Sequence, residues 1–158
     1  MSGGRPVSPR DVAGRFFLEV WNERRLGVLY EIIAPDCVTH QLRSNEGAAP
    51  GEPRGPAEIE REVAEWHRAF PDLQVTVEDM VAEGDRVVSR VALRGTHAHD
   101  WMGVPARGKA VQFWLIVTHR VRDGFIIEDW VLWDRLGLLQ QLGVVADTVS
   151  LLAAAARE

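Results

Sequence analysis

Asp134 stands between Trp133 and Arg135, where one apolar run, "VLW", gives way to another, "LGLLQQLG". A carboxylate there has two uses. It can cap the helix that follows by accepting from the amides of Gly137 or Leu138, a contribution of about 1 kcal/mol. It can also act as a base at the wall of an apolar pocket. Desolvation raises a carboxyl pKa from about 4, and a raised value suits the removal of a proton from a carbon acid near neutral pH. The pattern alone leaves both open. His40, in "THQL", would polarise a substrate carbonyl or sit in the core as a satisfied imidazole. His119 faces Glu128 near a hairpin tip, either as a surface pair or as a group that orients the base. Arg90 lies opposite Asp79 across the Gly84-Asp85 turn, as a cross-strand ion pair or, inside a cavity, as a stabiliser of an enolate. His97 and His99 are two apart with Asp100 adjacent, but no further ligand cluster accompanies them, and no metal is expected. "GVPARGK" lacks the Ser or Thr of a phosphate loop, and no G-x-S-x-G elbow is present.

The elements that must position these groups are legible in outline. Asp123-Gly124 between apolar runs signals a two-residue hairpin. Uninterrupted pairing sets Arg122 opposite Phe125, His119 opposite Glu128, Val117 opposite Trp130, Leu115 opposite Leu132 and Phe113 opposite Asp134. One face then carries Val111, Phe113, Leu115, Val117, His119, Glu128, Trp130, Leu132 and Asp134. It is the expected pocket wall, joined by Trp66 from a helix. The opposite face carries Trp114, Ile116, Asp129, Val131 and Trp133, a mixture suited to a subunit interface, so a homodimer or homotetramer is expected. A bulge would exchange the two faces.

Upstream, Ser8, Pro9 and Asp11 form a capping box for a first helix with Val12, Phe16, Phe17, Val20 and Trp21 on one side. "LGVLYEIIA" reads as a second helix stopped by Pro35, and "CVTHQL" as a short strand. Residues 43–55 form a Gly/Pro-rich loop. Pro56 opens a third helix with Ile59, Val63, Trp66 and Phe70 on its buried side. Two strands meet at Gly84-Asp85, and "DWMGVPARGK" is a loop. Helices grouped early and strands grouped late indicate an α+β domain: a curved antiparallel sheet wrapped around the N-terminal helices as a cone, the nuclear-transport-factor-2-like (NTF2-like) architecture. Residues 1–8 are expected as a flexible tail, 9–145 as the single domain, and 146–158 as a helical or frayed tail.

A chain of 158 residues with net charge -5 and no Lys/Arg cluster excludes a nucleic-acid surface. No apolar stretch reaches the roughly 18 residues of a membrane span. The N-terminus lacks the apolar core of a signal peptide, and a cytoplasmic protein is expected. The single cysteine, Cys37, reads as a small buried hydrophobe.

"RGTHAHDWMGVPARGKAV", "HRVRDGFIIEDWVLWD" and "GLLQQLG", together with "FPDL", resemble the SnoaL-like polyketide cyclases, also called ester cyclases, over roughly residues 10–143. The resemblance implies a cofactor-free enzyme that closes a ring in a hydrophobic, carbonyl-rich metabolite of polyketide type by an intramolecular aldol step. By position it makes Asp134 the base. His119 and His40 are then the expected polar helpers, and Trp130, Phe113, Trp66, Arg90, Leu115 and His97 the substrate contacts. The chain departs from the family in one loop. After Gly-Thr-His the family has Gly, where this chain has His99, Asp100 and Trp101 ahead of Gly103. Related isomerases carry an acid near Gln41 and a Tyr near Phe17, and neither is present. Alternatives on the same fold are an epoxide hydrolase, a hydroxylation partner, or a ligand-binding domain without chemistry.

Overall fold

Ser8 caps the first helix in the expected way: its hydroxyl accepts from the Asp11 amide, and the Asp11 carboxylate accepts from the Ser8 amide. This computed structural model describes residues 7–42 and 51–157. Most of the expected N-terminal tail and of the 43–55 loop lies outside the described residues. Helix α1 (Pro9–Arg15) runs on into wide helical turns over Phe16–Asn22, where the Glu23 amide donates to the Leu18 carbonyl five residues back. The widened turn lets the adjacent Phe16 and Phe17, and Val20, all face inward. The second helical segment is shorter than expected. A tight turn at Leu26–Val28 leads into α2 (Leu29–Ile32), and strand β1 (Ile33–Gln41) begins at once. Two features end the helix. Ile33 pairs with Ile126 in the sheet, and Ala34 precedes Pro35, which disfavours helical backbone.

A short strand β2 (Glu52–Pro53) and helix α3 (Pro56–Ala69) follow. Four long strands come next: β3 (Gln74–Glu83), β4 (Arg86–Thr96), β5 (Ala110–Arg122) and β6 (Phe125–Trp133). They join one six-stranded sheet in the order β2-β1-β6-β5-β4-β3, parallel only between β1 and β6. The sheet is curved and unclosed. Its concave face packs on α1, the wide turns and α3, and the core lies between these layers. The chain ends in α4 (Arg135–Leu142) and α5 (Thr148–Ala155). Leu138 and Leu142 plug α4 into the core, whereas no residue of α5 is buried. No helix among the described residues is long and apolar enough to cross a membrane.

The last hairpin departs from the expected register at one residue. Asp123 (φ 52°) and Gly124 (φ 82°) make the two-residue turn, and Arg122 faces Phe125 as expected. Val121 faces Ile126, but Arg120 then faces Glu128, so Ile127 is an extra residue on β6. Beyond this bulge His119 faces Asp129, Val117 faces Val131 and Leu115 faces Trp133. Every β6 side chain past the bulge has exchanged faces relative to uninterrupted pairing.

Candidate active site

The bulge decides which acid enters the cone. Asp129, Val131 and Trp133 line the concave cavity together with Phe113, Leu115 and Val117 of β5. Glu128, Trp130 and Leu132 lie on the convex side. The cavity holds about 730 Å³ of space not filled by atoms, counted to its open mouth, and its walls are mainly apolar. Phe16, Phe17 and Trp21 from the wide helical turns and Trp66 from α3 supply much of the opposite wall.

Asp129 is only 5% exposed, and one of its oxygens, Oδ1, has no hydrogen-bond partner among the described residues. Burial pushes its carboxyl up to about 6, and the Thr39 hydroxyl and the Arg54 charge hold back part of the rise. Thr39 is its direct neighbour across the parallel β1–β6 pair. Four polar residues line the cavity beside it: Thr39, Gln41, Arg54 and Glu62. Arg54 is tied at both ends, its amide to the Cys37 carbonyl (2.7 Å) and its guanidinium to Glu62. Cys37 beneath is fully buried, and burial pushes its thiol up to about 12, so it remains protonated.

Asp134, the carboxylate singled out from the sequence, is exposed and caps α4, with Oδ1 accepting from the Gly137 amide at 2.8 Å. A Cβ at Gly137 would collide with that carboxylate, which explains the Asp-x-x-Gly spacing. Asp134 does not line the cavity, so the geometry assigns it the capping use. Asp134→Ala is expected to lower stability by about 1 kcal/mol, a fall of roughly 2–4 °C in Tm, and to leave ligand affinity unchanged in a binding titration.

The other expected site residues divide. Phe113, Leu115 and Trp66 line the cavity as anticipated. Trp130 and His40 are on the convex face, stacked on each other at 5.0 Å, with the Arg86 guanidinium 5.2 Å from the Trp130 ring. His40 Nε2 meets Glu128 Oε1 at 2.9 Å, and this contact and the Arg120 guanidinium hold the Glu128 carboxyl below the usual carboxylate range. Arg90 also points outward, paired with Glu78 rather than Asp79. His119 is on the concave side but fully buried behind the cavity wall, its ring 5.2 Å from that of Phe16. It faces Asp129, not Glu128. Burial drives its pKa down to about 3, and neither ring nitrogen has a hydrogen-bond partner among the described residues. His97 is buried outside the cavity, where Nδ1 accepts from the Arg107 amide at 3.3 Å. His99 is exposed, and no group of His, Cys, Asp and Glu among the described residues is arranged to hold a metal.

Uninterrupted pairing put Asp129 outside, and Thr39, Gln41 and Arg54 were not anticipated. A signal for the placement of Asp129 existed. Arg120 opposite Glu128 is a charge pair across two strands, whereas the unbulged register sets Arg120 against Ile127.

A family model for SnoaL-like polyketide cyclases matches residues 11–142. IdmH from Streptomyces antibioticus, provisionally named a polyketide cyclase, is 37% identical, with 86% of this chain and 99% of that one covered and a TM-score of 0.73. AclR from Streptomyces galilaeus, provisionally named a hydroxylase, is 27% identical over 96% of this chain and 92% of its own (TM-score 0.76). A SnoaL-like protein from Jannaschia, 23% identical over 92% of this chain and 99% of its own, shares the fold with a TM-score of 0.75. No curated protein matches the chain.

Proposed function

This chain belongs to the SnoaL-like polyketide cyclase family, and we propose on that footing that it closes a ring in a hydrophobic, carbonyl-rich metabolite of polyketide type by an intramolecular aldol step. The observation that carries the reading is the placement of Asp129: a buried carboxylate with an unpartnered oxygen, on the wall of an apolar cavity. In the proposed step Asp129 takes the proton from the carbon between two carbonyls. The electron pair left behind delocalises as an enolate. That carbon then attacks a second carbonyl of the same molecule, and the alkoxide formed recovers the proton from the Asp129 carboxylic acid. Atoms and charge balance without a cofactor.

The enolate needs donors, and His40, His119 and Arg90 do not reach the cavity. Thr39, Gln41 and Arg54 line it and take that role in the proposal. The geometry for one base also serves a hydroxylation partner, a reading favoured by the likeness to AclR. Labelled oxygen separates the two, because ring closure incorporates none.

The test uses a soluble naphthoquinone bearing a β-keto ester side chain in deuterated buffer, followed by proton NMR. The wild type and Asp134→Asn are expected to wash deuterium into the acidic methylene. Asp129→Asn is expected not to. Equal exchange by the two variants contradicts the assignment of the base.

We also infer self-association through the convex sheet face, where Trp114, Ile116 and Leu132 are exposed together on adjacent strands. The wild type is expected to sediment as a dimer or tetramer. The double variant Ile116→Glu/Leu132→Glu is expected to sediment as a folded monomer, and unchanged sedimentation overturns the inference.

A further inference from the structure

The loop from His97 to Lys109 is held at both ends and at its tip. The His97 amide donates to the Lys109 carbonyl (2.9 Å) and the Gly108 amide to the His97 carbonyl (2.8 Å). The Ala98 amide donates to the Ala69 carbonyl at the end of α3 (2.9 Å). At the tip Trp101 and Val104 exchange backbone hydrogen bonds of 3.0 and 2.8 Å around Met102 (φ 48°) and Gly103 (φ 78°). The left-handed backbone at Gly103 is one that a side chain would strain. The buried His97 ring braces the loop from within, accepting from the Arg107 amide and stacking on Phe70 at 5.2 Å.

All this fixes one side chain. Trp101 is only 6% exposed, although His99, Asp100 and Met102 around it are exposed. Its ring lies 4.8 Å from that of Trp66 and 6.3 Å from that of Trp133. Trp66 and Trp133 line the inner cavity, and both also line its outer mouth, where Trp101 and Met102 join them. The inner and outer spaces share Gln41, Arg54 and Glu62 as well, so they adjoin; the outer one is otherwise edged by the charged Glu52, Glu58, Arg61, Glu65 and Arg135. Trp66 and Trp133 are therefore common to the chamber that holds Asp129 and to an outer space to which this loop adds a third tryptophan.

We propose that Trp101, with Trp66 and Trp133, forms an outer subsite that holds the distal rings of a fused polycyclic substrate while its reacting end lies at Asp129. Flat rings match indole faces, and stacking on them is worth more than the area buried. The proposal rests on the functional reading above, because it takes Asp129 as the inner end of the ligand.

The test is a pair of titrations by tryptophan fluorescence. The two-ring probe is 1-naphthol. The four-ring probe is 6,11-dihydroxy-5,12-naphthacenequinone. Trp101→Ala is expected to weaken the four-ring probe at least tenfold and 1-naphthol less than twofold. Trp101→Leu keeps apolar bulk without a π-face and serves if the alanine variant folds poorly; the same selective loss is expected. Loss of affinity for both probes alike, or for neither, overturns the subsite. Asp134→Asn, outside the cavity, is the control and should bind both probes as the wild type does. Probe binding needs no proton transfer, so an exchange assay that fails leaves the binding result to be judged by itself.

Discussion

Asp129→Asn is expected to lower turnover by about 10²–10⁴-fold, the usual contribution of a positioned acid or base, and at the same time to stabilise the protein above pH 7. Both effects come from burial. The carboxyl titrates at about 6 in the folded chain and at about 4 when unfolded. A raised acid pKa means that ionisation costs the folded state more than the unfolded one. The penalty is absent below about pH 4, grows between pH 4 and 6, and is complete above 6. A difference of two pKa units corresponds to roughly 3 kcal/mol. Asparagine has the same shape and no charge, so it escapes that penalty, although its buried amide keeps some desolvation cost of its own. The informative quantity is the pH dependence. Denaturant melts of the two proteins should draw apart from pH 4 to about pH 6 and keep that separation above it, with the variant the more stable. A gap that is constant with pH contradicts the burial argument, and unchanged turnover contradicts the role.

His119→Leu is expected to have the largest effect on acid stability. The imidazole is fully buried and titrates at about 3, against about 6.5 when unfolded. A lowered base pKa works in the opposite sense to Asp129. Below pH 6.5 the unfolded chain binds a proton that the folded chain refuses, so stability falls as pH drops from 6.5 to about 3. The accumulated loss is on the order of 5 kcal/mol, a large share of the stability of a domain this size. Leucine packs against Phe16 and Phe17 without a proton site. The variant should therefore lose most of the wild type's decline in Tm between pH 6.5 and pH 4. An unchanged slope would mean that His119 is already protonated in the fold, in conflict with its unpartnered ring nitrogens.

Most of the fold was written in local chemistry. The Ser8–Asp11 capping box, the apolar stripe of α3 and the Gly84-Asp85 and Asp123-Gly124 turns each depend on a few adjacent residues, and each lies where its pattern placed it. The α+β order followed from them. The site was less legible because it depends on parity. Phe125, Ile126 and Ile127 are three apolar residues in a row and carry no alternation to reveal which is the extra one. Past that point both readings of β6 put apolar side chains and an acid on the same face as Phe113. One reading brings Glu128 and Asp134 there, and the other Asp129. The charge pairing of Arg120 with Glu128 separates them, and it is a contact between strands rather than a pattern along one. Arg54 was hidden differently. It follows a Gly/Pro-rich stretch and enters the cavity because its amide bonds to Cys37 on β1, a pairing that no periodicity announces. Trp101 was visible in its loop, but its place over Trp66 depends on the bracing of the whole loop.

The account depends on a carboxyl kept short of water inside the cone, and its titration tests that most directly. Aspartate labelled with carbon-13 at the side-chain carboxyl, with Asp129→Asn used to assign the resonance, reports the ionisation of this one group in the intact protein. The midpoint is expected near pH 6. A midpoint at about 4, the ordinary value for an aspartate, would mean that water reaches the group freely and that the cavity holds no poised base.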